Sequence, residues 1–232
     1  MSYIFNGIQQ AFHLLLSGDP STYSAIFTSI KASTCSILFS LLIGIPLGFQ
    51  LGHNHFPGQK IIKIIVNTSL ALPTVVIGLL VYSFICNQGL FGKFNLLFSI
   101  KAIIIGQTIL ALPIVIALTS NAIENIDKNL HLTLFTLGAN KIQVAKTILY
   151  ESRYAIFAAA AVAYGRVISE LGISMMVGGN IKWYTRTITT AIAFETNKGK
   201  FSLGIALGVV LLLIALTVNA LIMICRERFS VQ

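Results

Sequence analysis

Five stretches of this chain run long enough, and free enough of charge, to cross a lipid bilayer. They are Ala32–Gly52, Ile64–Gly92, Ala102–Ile123, Tyr154–Gly165 and Leu203–Cys225. A crossing helix needs roughly 20 mostly apolar residues. The fourth run is short, and it reaches about Gly172 only if Arg166 and Glu170 are accepted inside it. Arg226 and Arg228 stop the fifth, and Lys60 and Lys63 precede the second. In lipid every backbone polar group must be bonded internally, so runs of this length fold as helices. The expected fold is all-α: a polytopic membrane bundle of about five transmembrane helices.

Composition agrees. Residues are 56% hydrophobic and only 10% charged, with mean hydropathy +0.85. A soluble domain carries about 25% charged residues, so this chain cannot cover a water-facing surface. The net charge of +9 belongs to segments flanking apolar runs, where the positive-inside rule accounts for it, and nucleic acid is not an expected partner. Cys35, Cys86 and Cys225 stand singly in apolar surroundings, as small core- or lipid-facing residues. Residues 1–30 hold no Lys or Arg, so no basic leader is expected.

Five crossings place the termini on opposite sides. With the N-terminus outside, inner segments hold eight basic residues: Lys60, Lys63, Lys128, Lys141, Lys146, Arg153, Arg226 and Arg228. Outer segments hold seven: Lys31, Lys93, Lys101, Lys182, Arg186, Lys198 and Lys200. That balance barely orients the chain. The charge-free first 30 residues favour an outer N-terminus and a cytoplasmic C-terminus in the cell membrane.

Residues 1–22 form an N-terminal segment ahead of a membrane domain at 23–228. Ile4, Ile8, Phe12 and Leu15 fall near one helical face, with Asn6, Gln9, Gln10 and His13 elsewhere. This suits either an amphipathic helix in the membrane interface or a terminal helix packed on the bundle. The tetrapeptide LALP occurs at Leu70–Pro73 and again at Leu110–Pro113. With Pro46 in the first run, Pro73 and Pro113 give three expected helix kinks, since proline removes one backbone hydrogen bond.

The segment 124–153 is too polar to cross and too apolar for a plain loop. Gly138 can take a positive φ and close one helix. Asn140, with Gln143 three residues on, is a capping-box variant that opens another. The segment reads as helix, glycine turn, helix, with Leu130, Leu134, Phe135 and Leu137 as an apolar patch. Such a patch serves a partner protein, or packs on the chain's own helices.

Arg166 and Glu170 are four residues apart, on one face of the fourth run. A charge inside the membrane needs a partner, and the pair is either a pathway or gate element or a structural pair near a helix end. After it comes VGGNIKWYTRTITT. Gly178, Gly179 and Asn180 allow exposed amides, Lys182 and Arg186 add charge, and Thr185 and Thr187 add hydroxyls. Together they would favour a small oxyanion, or contact a partner or lipid headgroups. His53 and His55 lack further ligands, so no metal site is expected. No GxxxxGK[ST] occurs, since Phe follows both Gly92-Lys93 and Gly199-Lys200. No catalytic constellation is present either, so the chain is not expected to be an enzyme.

The segment around Gly138 resembles the cytoplasmic loop of the membrane permease subunits of type I ABC importers. Their consensus runs E-A-A, three residues, Gly, nine residues, Ile, one residue, Leu-Pro. Gly138 and Ile148 fit it, whereas Leu132, Thr133 and Leu134 replace E-A-A, and Tyr150 and Glu151 replace Leu-Pro. The spacing at Leu137–Gly138–Ala139…Gln143 and the following LYESR resemble the tungstate branch, related to the molybdate permeases. LALPTVVIGLL (70–80), ILALPIVIAL (109–118) and the stretch 169–199 resemble it too. The resemblance implies a type I importer fold, a homodimer enclosing the pathway, and segment 124–153 coupling to a cytoplasmic ABC ATPase dimer. It implies ATP and Mg on that ATPase with no cofactor on this chain, an external oxyanion-binding protein, and tungstate ahead of molybdate, sulfate or phosphate as cargo. A secondary carrier or channel without an ATPase is the reading of another class; the scarcity of buried acids speaks against it.

Overall fold

The computed structural model describes residues 2–54, 56–127, 130, 133, 134 and 136–228. Helices α1 (Ser2–Leu16), α2 (Pro20–His53), α3 (Gln59–Ser69), α4 (Thr74–Ile85) and α5 (Ile100–Glu124) make the first half. After segment 124–140 come α6 (Lys141–Glu151), α7 (Arg153–Ile168), α8 (Gly172–Gly178), α9 (Ile188–Asn197) and α10 (Phe201–Arg228). There is no strand among the described residues. Among the described residues three helices, α2, α5 and α10, are long and apolar enough to cross a membrane, and the candidate spans number five if each of the bent pairs α3–α4 and α7–α8 is counted as one span.

The apolar runs located these elements, with three differences. Helix α2 starts at Pro20, ahead of the expected Ala32. A lysine such as Lys31 ends an apolar run but does not end a helix. The start is set instead by Asp19, whose carboxylate accepts from the Thr22 amide at 2.8 Å, and by Pro20 in the first turn. Burial acts to raise the pKa of Asp19. Hydrogen bonds from Ser21 and Thr22, with the nearby Lys182 charge, outweigh it and hold the carboxyl below its ordinary value.

The run Ile64–Gly92 is not one helix. Helices α3 and α4 meet at a bend of 102° across Leu70–Pro73. Pro73 takes φ −62°, ψ 129° as the N-cap of α4, and its ring disfavours helix at Leu72. Pro46 and Pro113, by contrast, lie inside the continuous helices α2 and α5. The fourth run also breaks: α7 ends at Ile168, and α8 leaves it at 58°. Gly172 opens α8 in close contact with α4, where an added Cβ would lie 2.9 Å from Thr74 Oγ1.

The core seam joins α2 to α5. Ser36, Ser40, Gly44, Gly48 and Gly52 of α2 are buried along it. Gly44 faces Val115, Gly48 faces Thr119 and the Ile116 carbonyl, and Gly52 faces the Ser120 carbonyl. Small residues let two backbones approach closely, which drives helix association in lipid. Ser36 and Ser40 hydroxyls donate to carbonyls of their own helix and reach those of Ile104 and Thr108. At one edge α1 lies along the start of α10, with Gly7 against Ile205 and Ala11 buried. Ile4, Phe5, Ile8 and Phe12 remain exposed on its outer face.

Candidate functional site

The segment between α5 and α7 projects from one end of the bundle. Its turn is a Schellman closure: Gly138 has φ +72°, and the Ala139 amide donates to the Leu134 carbonyl at 3.0 Å. Two residues on, Asn140 caps α6 reciprocally. Its side chain accepts from the Gln143 amide at 2.9 Å, and the Gln143 side chain accepts from the Asn140 amide at 2.8 Å. Leu134 and Ala139 are half-buried, whereas Gln143 is exposed. Leu137 and Ile142 are also exposed, at 76% and 69%. Phe135 lies outside the described residues.

Ile148 is fully buried and anchors α6. The elbow into α7 is held by a contact that sequence spacing did not reveal. The Arg153 guanidinium stacks 3.9 Å from the Tyr150 ring centroid and 4.2 Å from that of Tyr154, and donates to the Tyr150 carbonyl. Alternation of Tyr, Arg and Tyr in LYESRY was the available signal. Asp127, Thr133, Glu151 and Tyr154 line a cleft of about 780 Å³ between this elbow and the end of α5. Lys63 of α3 pairs there with Glu124.

Arg166 and Glu170 do meet, at 3.9 Å, but at the break between α7 and α8. The Arg166 side chain is 47% exposed and that of Glu170 only 2%. Glu170 Oε1 accepts from the Ile173 amide at 3.1 Å, and the Thr189 hydroxyl donates to its carbonyl at 2.9 Å. The carboxylate thus caps α8 while its backbone ties the break to α9.

The loop 178–187 lies at the other end of the bundle. Gly179, Asn180 and Trp183 take positive φ of 68°, 50° and 70°. Its hydroxyls face inward. Thr185, fully buried, donates to the Gly178 carbonyl at 2.5 Å and accepts from the Ile181 amide. Thr187 caps α9 with Thr190. Arg186 donates to Asn180 Oδ1 at 3.0 Å and lies over the Phe194 ring. Lys182 sits against Trp183. The donors named from sequence are therefore brought together, and most of them bond within the loop.

Residues 44–230 match the model of the family described as binding-protein-dependent transport system inner membrane component. The chain is 52% identical, over 94% of its length and 92% of the relative's, to the Tungstate uptake system permease protein TupB of Campylobacter jejuni. It is 36% identical to TupB of Peptoclostridium acidaminophilum, over 98% of this chain and all of that protein. A molybdenum permease, ModB of Escherichia coli, is 29% identical over 90% of this chain and 97% of its own. Among solved structures, a bacterial ABC transporter importing the acidic polysaccharide alginate superposes with TM-score 0.75 at 18% identity, covering 94% and 83% of the two chains. The MetNI methionine transporter superposes with TM-score 0.67 at 18% identity, covering 90% and 94%. These two likenesses show a shared fold. The chain is a membrane-embedded permease of the binding-protein-dependent transport system inner membrane component family.

Proposed function

We propose that this chain forms the membrane pathway of an ATP-driven importer of tungstate. The observation that carries the reading is end-to-end likeness to a tungstate permease at 52% identity, against 29% for a molybdenum permease. Two copies enclose the pathway as a homodimer, and the open face of α7 that carries Arg166 lies towards the second copy. The capped turn at Gly138, with Leu137 and Ile142 exposed beside it, docks on a cytoplasmic ATPase dimer. ATP and Mg act on that ATPase. An external binding protein delivers the oxyanion to the opposite end, where Lys182 and Arg186 lie, and the N-terminus is outside in this reading. Arg166 and Glu170 sit at a break between two helices, where a small change of bend would move the pathway wall. Among the proline positions, Pro73 is the one that stands at a helix break.

The test is reconstitution of this chain with its ATPase in vesicles, with binding protein on the receiving side. The expected result is tungstate uptake that requires both ATP and the binding protein, with molybdate and sulfate competing less well. Tungstate flux through the chain alone would overturn the importer reading in favour of a carrier or channel. Preferred uptake of molybdate would overturn the cargo while leaving the importer.

A further inference from the structure

Lys31 of α2 and Lys101 in the first turn of α5 are 70 residues apart in sequence. The fold sets both on the wall of one cavity of about 430 Å³, together with Asn95, Ser99 and Tyr184. No acidic residue lines it. Neither ammonium has a carboxylate partner among the described residues, where the ion pairs are Lys63–Glu124, Arg166–Glu170, and Lys198 and Lys200 with Glu195. Lys31 Nζ lies 5.9 Å from the Phe27 ring centroid. Both lysines are exposed, and two like charges on the wall of one concavity repel unless something negative lies between them.

Beside the apolar Phe94, Leu96, Ile100 and Ile104, the wall carries polar features that suit an anion. Ser99 is the N-cap of α5 and accepts from the Ala102 amide, so the amides of the first turn face the same end, and the helix dipole adds partial positive charge there. Asn95 is held at φ +47° after the turn Gly92–Phe94. Tyr184, from the loop 178–187, also lines the cavity. The cavity lies one helix length, about 37 Å at 1.5 Å per residue, from the Glu124 end of α5.

We infer that this cavity holds a small, free tetrahedral oxyanion as it enters the bundle; the inference rests on the importer reading above. Lysine suits the role because its ammonium grips an oxyanion without the bidentate fork that would slow release. Arg166 and Glu170 belong to a different place in the fold, at the α7–α8 break.

The chain's one tryptophan, Trp183, adjoins the lining residue Tyr184 in sequence, so its emission serves as the reporter. The purified chain, in nanodiscs of phosphatidylcholine, is titrated with sodium tungstate and with sodium sulfate while tryptophan emission is followed. The expected result is a saturable change that weakens as sodium chloride is raised. It weakens by about tenfold or more in Lys31→Gln/Lys101→Gln, as for loss of charged partners. It returns in Lys31→Arg/Lys101→Arg and is unaltered in Lys93→Gln, an exposed lysine outside the cavity. A missing saturable change, or equal binding by the double glutamine variant, overturns the site. So does a change that appears only when phosphatidylglycerol replaces phosphatidylcholine, because the bound group is then a lipid headgroup. Saturable tungstate binding without ATP-dependent uptake would sink the importer reading and leave the site. Normal uptake with no binding would do the reverse.

Discussion

At the scale of single residues, Gly138 separates backbone demand from packing demand. Its φ is +72°, and a Cβ placed there meets nothing within 4 Å. A side chain would therefore find room, and the cost of substitution is conformational, about 1–2 kcal/mol for a non-glycine residue in the left-handed region. Asparagine tolerates that region and β-branched residues do not. Gly138→Asn should retain most ATP-driven uptake, and Gly138→Val should lose most of it. Both variants should insert and unfold thermally like the parent, since the turn lies outside the bundle. Equal uptake by the two would mean that the turn's geometry is irrelevant to transport. This glycine was legible in the sequence because a closing glycine and a capping box are local signals. The cluster of Lys31 and Lys101 was not, because only tertiary structure joins residues 70 apart. Nor was the stacking of Arg153 between two tyrosines, because it depends on the angle of the α6–α7 elbow.

At the scale of elements, the seam between α2 and α5 decides whether the bundle closes. A Cβ on Gly48 would come within 2.7 Å of Thr119 Cβ and 2.9 Å of the Ile116 carbonyl. A methine carbon and a backbone oxygen cannot swing aside, so the two helices must separate. Gly48→Ala should destabilise by about 1–3 kcal/mol, the usual cost of overpacking. Gly208 in α10 has nothing within 4 Å of a Cβ and no positive φ. Gly208→Ala should be neutral or stabilising by up to about 1 kcal/mol. Thermal unfolding of both variants in the same detergent decides the matter, and similar shifts would show that the seam is not tightly packed. The crossings themselves were legible, because lipid demands long uncharged runs and composition records them. The breaks were legible only in part: Pro73 is one of three prolines at which a kink is expected, and a bend of 102° stands at Leu70–Pro73, but no local signal sets Pro73 apart from Pro46 and Pro113 or fixes the bend of 58° at Ser169–Leu171. Proline alone does not mark a break, since α5 continues through Pro113.

At the scale of the whole molecule, the open question is which end faces the cytoplasm. Eight basic residues against seven give the charge rule almost nothing to act on. The fold supplies the missing constraint, because it fixes which segments share an end. Lys93 follows α4 and precedes the start of α5, whereas Gly138 follows the far end of α5. A continuous helix of 25 residues separates them, about 37 Å and so more than the roughly 30 Å hydrocarbon core. The two positions must therefore lie on opposite faces of the membrane, whatever the orientation. If the turn at Gly138 docks on a cytoplasmic ATPase, Lys93 is outside. In a background with Cys35, Cys86 and Cys225 replaced by serine or alanine, Lys93→Cys should react with a membrane-impermeant maleimide on intact cells. Gly138→Cys should react only after permeabilisation. Both positions reacting from one side would contradict the bundle. The reverse pattern would preserve the bundle and remove the coupling role, because no ATPase could reach the turn.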